Sequence, residues 1–408
     1  MTYRRSRPTL AALAGTVVAV LAAAPAVAAP AAPASPPAEG NEWTADLGTV
    51  DADDVNVGTG AAGLRLADPN PSRAGRRAAA EGMLLLTPHR LATPANRVRA
   101  ELAAAARPGG GAEVEVRGLR GADWTEWRTA TATAPAVFDR PVDQVQARIV
   151  LTAERPEAAP TASALRLRAD SVAVTAAATP GLTYQVYATR EGLVGGMTAN
   201  GHVITSRDHF VSFPSARSLS PKNTGDYTAK VCTTSGSRCE YAPVWERGPW
   251  NLRDDYWNPP TVRETFADLP QGKPEAQAAY QDGYNGGKND RGSTVANPAG
   301  IDLADGTFWD GLLLTNNAWV NVSYLWTGTG SRGTVGSGPL NIRSGPGTSY
   351  AVKGLAAQYA KVPIECWVTG TSVAGPYGTT TRWDRLATGE FVSHSYISAT
   401  TGEAVPAC

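Results

Sequence analysis

The chain has 408 residues, and its 37 Lys and Arg balance 37 Asp and Glu. A chain without net charge has no long-range field that would attract nucleic acid or an anionic membrane surface, and we expect neither as a partner. With 42 Gly, 30 Pro and only 18% charged residues, the composition favours strands and turns over long charged helices, in a length that suits two to four domains.

The first 29 residues predict a cleaved export signal. Three arginines within residues 4–7 precede an apolar stretch at residues 10–21, which is too short for a membrane span. Ala26-Val27-Ala28 then fits the small-residue rule for signal cleavage. Residues 30–40, rich in Ala and Pro, predict an extended linker. We expect a secreted protein, extracellular or associated with the cell wall, and a monomer.

The four cysteines of an exported chain are expected to be paired. Cys232 and Cys239 flank a short turn and would staple a hairpin, which leaves Cys366 and Cys408 to tie the last residue to an inner strand. Three pairings are possible, and locality along the chain favours this one. The chain has no C-x-x-C pattern, and the acidic pair at residues 254–255 matches no known metal-binding loop. We therefore expect no metal ion and no other cofactor.

Residues 41–172 predict an antiparallel β-sandwich. Polar and apolar residues alternate at residues 113–117, 144–151 and 165–168, and turns rich in Gly, Pro and Asp separate these stretches. The pattern resembles jelly-roll, discoidin-like accessory sandwiches, mainly at the turn that carries Trp124 and Trp127. As a functional hypothesis, these two indoles form a platform that stacks on a sugar, and the structural alternative is that one of them caps the sandwich core.

The turn that carries Glu246 is the centre of the predicted chemistry. A short strand delivers this carboxylate into a Gly-Pro turn, with Trp245 and Trp250 as its walls. Gly248 accepts backbone angles closed to other residues and Pro249 fixes φ, so the turn should be rigid. Apolar surroundings favour the protonated carboxyl that a general acid needs. The alternative is a structural turn in which Glu246 pairs with the neighbouring arginine or with another cation.

After a small-residue linker at residues 173–182, residues 183–328 resemble the double-psi β-barrel of rare lipoprotein A, which expansins and some endoglucanases share in outline. The resemblance rests on four motifs: Thr198-Ala199-Asn200-Gly201, Asp208-His209-Phe210-Val211-Ser212-Phe213-Pro214-Ser215, Arg247-Gly248-Pro249-Trp250 and Gly300-Ile301-Asp302-Leu303-Ala304. It implies a six-stranded barrel that cuts the glycan strands of peptidoglycan as a lytic transglycosylase, or binds them without cutting.

The resemblance also assigns roles to individual residues. It implies that His209 corresponds to the family's histidine and Asp302 to its Ile-Asp-Leu-Ser aspartate. Glu246 stands where the family has the aspartate of an Asp-Arg-Gly-Pro turn. The remaining predicted substrate contacts of the barrel are Trp245, Trp250, Thr198 and Asn200. The family's aspartate after Thr-Ala-x-Gly is missing, although Asp208 can reach the same space. The structural alternatives are a satisfied barrel histidine and an aspartate at the start of a helix.

One carboxylate suffices for non-hydrolytic cleavage, because it protonates the glycosidic oxygen and then takes a proton from the sugar's own hydroxyl. Hydrolysis needs a second carboxylate about 5–5.5 Å away for retention or 6.5–9.5 Å away for inversion. Asp302 is the first candidate for this second group and Asp208 the next, and His209 would orient Glu246 or donate to the sugar. Residues 274–281 predict a short helix, followed by a loop that covers the groove.

Residues 329–408 resemble a bacterial SH3-type barrel. The opening motif is Gly338-Pro339-Leu340-Asn341-Ile342-Arg343-Ser344-Gly345-Pro346-Gly347, and residues 383–397 fit the closing strands. The resemblance implies a module that holds the cell wall, and the alternative is a module that only packs on its neighbour.

The sequence thus predicts an all-β protein with an N-terminal jelly-roll-like β-sandwich, a central six-stranded double-psi β-barrel and a C-terminal SH3-like barrel. The first functional hypothesis is a peptidoglycan-cleaving enzyme that uses Glu246. The second is a non-catalytic, expansin-like binder of peptidoglycan or another cell-wall polysaccharide. The third is a secreted glycoside hydrolase that acts on plant or fungal wall glucans.

Overall fold

The computed structural model describes residues 40–71, 79–173 and 181–408. The predicted export signal and most of the two predicted linkers lie outside these ranges. The described chain is all-β, as the composition predicts, since strands greatly outnumber helices. Among the described residues, no helix has the length and apolar character needed to cross a membrane.

The first sheet is antiparallel throughout and contains ten strands. They are β1 Glu42–Ala45, β2 Val57–Gly60, β3 Gly63–Leu66, β4 Ala80–Leu85, β5 His89–Ala105, β6 Gly110–Arg120, β7 Asp123–Trp124, β8 Arg128–Thr129, β9 Ala136–Ala153 and β10 Thr161–Asp170. Side chains alternate between the two faces of a strand, so each strand contributes its apolar set to one buried face. Val98, Val116 and Ile149 are fully buried members of that core.

Six strands then close into a barrel, which confirms the predicted strand number. They are β11 Leu182–Arg190, β12 Val211–Phe213, β13 Thr228–Thr233, β14 Cys239–Arg247, β15 Ala299–Leu303 and β16 Ala318–Tyr324. Around the barrel the order is β12-β15-β11-β16-β13-β14 and back to β12. The pairs β11–β15 and β12–β14 are parallel, and the other four pairs are antiparallel.

The long connection between β14 and β15 contains the α-helix α1, Glu275–Asp282, where the sequence predicts one. Pro274 stands at its N-cap position, and Gly283 ends it in the left-handed conformation (φ 70°), which glycine adopts without steric cost. Short helical turns also occur in the chain, at Pro156–Ala158, Ala216–Ser218, Tyr284–Gly287, Thr307–Gly311, Leu325–Thr327 and His394–Tyr396.

The C-terminal strands extend the barrel's own sheet. They are β17 Arg332–Val335, β18 Leu340–Arg343, β19 Val352–Ala356, β20 Lys361–Gly375, β21 Gly378–Leu386, β22 Phe391–Ser393 and β23 Ile397–Thr401. Strand β19 pairs in parallel with β14, where Cys239 faces Gly354 and Tyr241 faces Ala356. A Cβ at Gly354 would lie 1.8 Å from the carbonyl oxygen of Cys239, so only glycine permits this approach.

Both predicted disulfides are present. Cys232 bonds to Cys239 across the β13–β14 hairpin, and Cys366 bonds to Cys408. The second bond ties the last residue of the chain to β20, as the sequence predicts.

The aromatic turn of the first sheet is buried against the barrel. Trp124 and Trp127 belong to the core that contains the barrel residues, and the guanidinium of Arg117 lies 4.4 Å from the ring centroid of each indole. The prediction that the two indoles form a sugar platform is therefore wrong. The indole faces are covered by a cation that is itself buried, and such stacking is a common use of arginine.

One ion cluster joins the three parts of the chain. Asp226 of the barrel accepts from Arg117 of the first sheet at 2.9 Å and from Lys361 of β20 at 2.8 Å. The aspartate side chain is only 11% exposed. Burial alone would raise the pKa of Asp226, but the two cations outweigh burial and hold the pKa below its usual range.

Candidate functional site

A cleft of about 670 Å³ lies between the first sheet and the barrel. Its lining is mixed, with carboxylates, amides, two arginines, one indole and several apolar side chains. The first sheet and its connections contribute Val55, Asn56, Asp68, Asn70 and Glu81, and the barrel and its loops contribute Glu191, Leu193, Met197, Ile204, Glu246, Arg247, Trp250, Leu252 and Arg291. A cleft of this size and composition suits an elongated polar ligand.

Glu246 stands near the end of β14, at the mouth of the barrel. Its Oε1 accepts the backbone N–H of Arg247 at 2.7 Å. The next N–H, of Gly248, donates to the carbonyl of Phe213 at 2.9 Å, and Ser212 Oγ donates to the carbonyl of Gly248 at 3.0 Å. Gly248 has φ 140°, in the region that favours glycine. The turn is therefore fixed by hydrogen bonds on both sides of its glycine.

Trp250 is the aromatic wall of the cleft. Its Nε1 donates to Asn297 Oδ1 at 3.0 Å, and its carbonyl accepts from Asn289 Nδ2 at 2.8 Å and from Arg291 Nη2 at 2.6 Å. Residues of the long connection between β14 and β15 thus hold this indole at the cleft. Residues 282–287, which the sequence predicts as a loop over the groove, do not line the cleft.

Trp245 does not share that wall. It is buried on the other face of β14, where it packs on Phe210 and His202 with ring centroids 5.9 and 4.8 Å away. Consecutive strand residues point to opposite faces, so Trp245 and Glu246 cannot both face the cleft. The prediction of two indole walls around Glu246 is wrong, and Trp250 is the wall that remains.

Asp302 lies in the same row of the barrel as Glu246 but does not line the cleft. Ser212 of β12 pairs with Glu246 on one side and with Asp302 on the other. Adjacent strands are about 4.8 Å apart, so the two backbones are about 10 Å apart across β12. Asp302 is buried inside β15 and accepts a hydrogen bond from Thr189 Oγ1. The alternative of a helix-start aspartate is wrong, because residue 302 is in a strand.

His209 contacts a different carboxylate from the predicted one. Its Nδ1 donates to Oε1 of the fully buried Glu240 at 2.9 Å, and Thr307 Oγ1 donates to the same oxygen at 3.1 Å. Burial alone would lower the pKa of His209, but Glu240, Asp310 and Asp208 outweigh burial and raise it above its usual value. The prediction that His209 orients Glu246 is therefore wrong, and the imidazole is a satisfied part of the barrel.

Asp208 is also occupied outside the cleft. Its carboxylate accepts from the backbone N–H and the hydroxyl of Thr205 at 2.7 and 2.6 Å, and His202 Nε2 lies 2.7 Å from Oδ2. These bonds close a local turn. A second carboxylate for hydrolysis is therefore not supplied from this position.

Thr198 and Asn200 are buried and organise the loop between β11 and β12. Thr198 Oγ1 donates to Asn200 Oδ1 at 2.7 Å, and Asn200 Nδ2 donates to the carbonyl of Ser220 at 3.1 Å. The prediction that they touch substrate is contradicted by their complete burial. Their neighbour Met197, which is 57% exposed, lines the cleft instead.

Three lining carboxylates were not predicted, namely Asp68, Glu81 and Glu191. Glu191 follows β11 directly, is buried, and donates its backbone N–H to the carbonyl of Leu303 at 2.7 Å. Glu81 of β4 forms an ion pair with Arg247 across 166 residues of sequence. The end of the alternating strand at Arg190 could have singled out Glu191 as a barrel-mouth residue, but no local pattern links Glu81 to a turn so far along the chain.

An acidic cluster lies beside the cleft residue Val55. The carboxylate oxygens of Asp51, Asp53 and Asp54 are within 4.8 Å of one another. Burial, with the charges of its two neighbours, raises the pKa of Asp53 to about 7. Backbone N–H groups occupy part of this cluster, since Asp54 accepts from Asp51 and Leu85 at 2.7 Å each. The sequence-based expectation of no metal ion stays a prediction.

Comparisons with known proteins give similarity without an activity. The profile of a family described as Domain of unknown function (DUF8814) matches residues 182–323, nearly the whole barrel. The chain is 40% identical over 84 residues to "Uncharacterized protein YraI" of Bacillus subtilis (strain 168), which covers 18% of this chain and 71% of that protein. It is 35% identical over 75 residues to "Uncharacterized protein YraJ" of the same strain, over 18% of this chain and 59% of that protein, less than two thirds of its length. No solved structure matches the chain.

Proposed function

This chain belongs to the family of the uncharacterized protein YraI, and we propose that it is an exported protein that binds and cleaves glycan strands of the cell wall in the cleft. One observation carries the proposal: Glu246 and Trp250 line one side of a cleft of about 670 Å³. An indole offers a flat apolar face to a sugar ring, and the nearby carboxyl can exchange a proton with the bond to be broken.

The cleavage step needs only one carboxyl group. Protonated Glu246 donates its proton to the glycosidic oxygen, and the bond from that oxygen to the anomeric carbon breaks. The resulting carboxylate then accepts a proton from a hydroxyl of the same sugar, whose oxygen closes a ring on the anomeric carbon. The hydrogen bond from the N–H of Arg247 holds the carboxylate in place between the two proton transfers.

Hydrolysis is the variant of this mechanism that uses a second carboxylate. Asp302 and Asp208 do not line the cleft, whereas Glu191 does. Of the other lining carboxylates, Glu81 is paired with Arg247 and Asp68 accepts two hydrogen bonds from Asn70. We therefore assign the activation of water in a hydrolytic reaction to Glu191. The two mechanisms give chemically different ends on the released sugars.

The second candidate function is non-catalytic binding, as in expansins. It is favoured by the positions of Asp302 and His209, which the resemblance to rare lipoprotein A would place at the reaction centre. Here Asp302 is hydrogen-bonded to Thr189 and His209 to Glu240. Asp302 and His209 do not line the cleft. If the motif residues only stabilise the barrel, the groove would still bind a glycan strand but would not cleave it.

We further propose the finer parts of the fold that the sequence predicts. The barrel contains two parallel and four antiparallel strand pairs, and this mixture supports a double-psi connection. The antiparallel first sheet is compatible with a jelly-roll sandwich, and the short strands of residues 332–401 with an SH3-type barrel that holds the wall. The two disulfides support an oxidising compartment and hence export.

The test is mass spectrometry of the soluble fraction after the chain lacking its predicted signal is incubated with purified peptidoglycan. We expect anhydro-sugar products from the wild type and none from Glu246→Gln, with wall binding retained. The control is Glu403→Gln, an exposed position far along the chain, which should release as much product as the wild type.

Other outcomes separate the hypotheses. Reducing-end products that vanish in Glu191→Gln would establish hydrolysis. Sedimentation with the wall but no release would establish the binder. Release from β-1,4-glucans alone would establish the plant or fungal wall hydrolase, and neither binding nor release on any of these polymers would overturn the proposal.

A further inference from the structure

We infer that the first sheet forms one wall of the glycan cleft and that Glu81 is a positioning residue, which holds the Glu246 turn through Arg247. This inference deepens the proposed function and rests on it for the identity of the ligand. It gives the N-terminal part of the chain a role in the site itself, where the sequence predicts only an accessory module.

The cleft is lined from both sides by residues of the first sheet and of the barrel. Asn56, Asp68, Asn70 and Glu81 face the barrel residues across it, and Val55 touches the loop that follows β11, since a Cβ at Gly201 would lie 2.8 Å from Val55 Cγ2. Without the first sheet, Glu246 and Trp250 would stand on an open surface.

Glu81 of the first sheet forms an ion pair with Arg247 of the barrel. Arg247 is the residue next to Glu246, its side chain is 12% exposed, and Glu81 binds its Nη2. Burial by itself lowers the pKa of Arg247, but Glu81, Glu246 and Glu115 outweigh burial and raise it, so the guanidinium stays charged between carboxylates. Removing one partner of a buried pair leaves the other charge uncompensated, which makes this contact costly to lose.

The ion pair is connected to the reacting carboxyl group through the backbone of Arg247. The backbone N–H of Arg247 donates to Glu246 Oε1, so the position of the Arg247 backbone sets the position of the carboxylate. Glu81 fixes the side chain of that same residue from the opposite wall. A displacement of about 1 Å at such a group is enough to cost a large factor in rate.

The test compares Glu81→Gln with Glu113→Gln in the full chain. Glu113 of β6 forms an exposed ion pair with Arg253 at 3.1 Å, so it also joins the first sheet to the barrel's long connection, but it does not line the cleft. We expect Glu81→Gln to lower the rate of product release from peptidoglycan at least tenfold while wall binding changes less than threefold. Glu113→Gln should change both by less than twofold.

A second readout needs no glycan. Hydrogen–deuterium exchange of the N–H groups of Arg247 and Gly248 should be at least tenfold faster in Glu81→Gln than in the wild type, and unchanged in Glu113→Gln. The double variant Glu81→Arg with Arg247→Glu restores a pair of reversed sign and should recover slow exchange. If the wild type releases no product but the variants show these exchange rates, the proposed cleavage fails and the positioning role of Glu81 stands.

Equal exchange in Glu81→Gln, Glu113→Gln and the wild type would overturn the positioning role, whatever the wild type does to glycans. A second result would also overturn the positioning role: exchange in Glu81→Gln is faster over the whole chain, and the double variant loses as much melting temperature as Glu81→Gln does. The ion pair would then stabilise the whole fold and not the Glu246 turn in particular.

Discussion

Trp257 Nε1 donates a hydrogen bond to Glu126 Oε1 at 2.6 Å, and this bond crosses from the barrel's long connection to the first sheet's aromatic turn. The same carboxylate accepts from Trp326 Nε1 at 2.9 Å and from Asn258 Nδ2 at 2.7 Å. All four side chains are buried. One glutamate therefore satisfies three donors that come from two distant parts of the barrel region.

Replacing that carboxylate should be among the costlier changes in the chain. Glu126→Leu leaves two buried indole N–H groups without their acceptor and removes one of the two acceptors of the Asn258 amide, which also donates to Asp255. We expect the free energy of unfolding to fall by about 3–5 kcal/mol. Glu126→Gln keeps one acceptor oxygen and should cost roughly half as much. Urea unfolding followed by tryptophan fluorescence measures both, and equal stability of Glu126→Leu and wild type would contradict the role of the carboxylate.

The ion cluster at Asp226 predicts a loss of stability in acid. Its pKa is lowered in the folded chain, so its contribution is fully present above the unfolded value of about 3.9 and is lost as the pH falls through the lower folded value. Asp226→Asn should remove that part of the acid dependence. Melting temperatures of the two proteins between pH 2 and 6 would test this, and parallel curves would contradict it.

The imidazole of His209 predicts the opposite dependence near neutrality. Its folded pKa is raised, so the stabilisation is present below the unfolded value of about 6.5 and is lost as the pH rises through the folded value. The groups that act on it are Glu240, Asp310 and Asp208. Thermal unfolding from pH 5 to 9 should show this decline in the wild type and not in His209→Asn. Parallel melting curves for the wild type and His209→Asn would contradict this role of the imidazole.

The close approach at Gly354 predicts a steric limit. In Gly354→Ala the new methyl group would meet the Cys239 carbonyl, so strand β19 has to move away from β14. We expect the free energy of unfolding to fall by about 3 kcal/mol, because adding an atom to a tightly packed contact forces the backbone to shift. Gly58→Ala is the control, because nothing lies within 4 Å of its added Cβ. Equal denaturant midpoints for the two variants would rule out the pairing as a tight contact.

The sequence predicts the local features of this protein better than the distant ones. The strand content, the helix after Pro274 and the Cys232–Cys239 disulfide depend on nearby residues, and each is present. The Cys366–Cys408 disulfide has a sequence separation of 42 and follows by elimination once the nearer pair is assigned. The prediction of a six-stranded barrel rests on four motifs that occur in the same order as in the barrel family that the chain resembles. Strand periodicity, turn residues and cysteine spacing act over ten residues or so, and they leave clear patterns.

The candidate site is harder to predict because its parts come from different sheets. The pattern around Glu246 places the carboxylate and Trp250 in the cleft, but it cannot place Trp245, since the face of a strand depends on what packs against it. Burial of Thr198 and the partner of His209 likewise depend on contacts far along the chain. Glu81 lies 166 residues from its arginine, and no sequence pattern reports such a pair.

The pairing of β14 with β19 also bears on how the protein can be divided. A chain cut before residue 329 would leave Cys239–Tyr241 with one row of backbone groups unpaired, beside apolar surface that Ala356 and Ala357 now cover. Bare strand edges of this kind recruit other chains. The excised barrel should therefore associate with itself. In the whole chain, the C-terminal strands cover this edge of β14 and protect the barrel from aggregation.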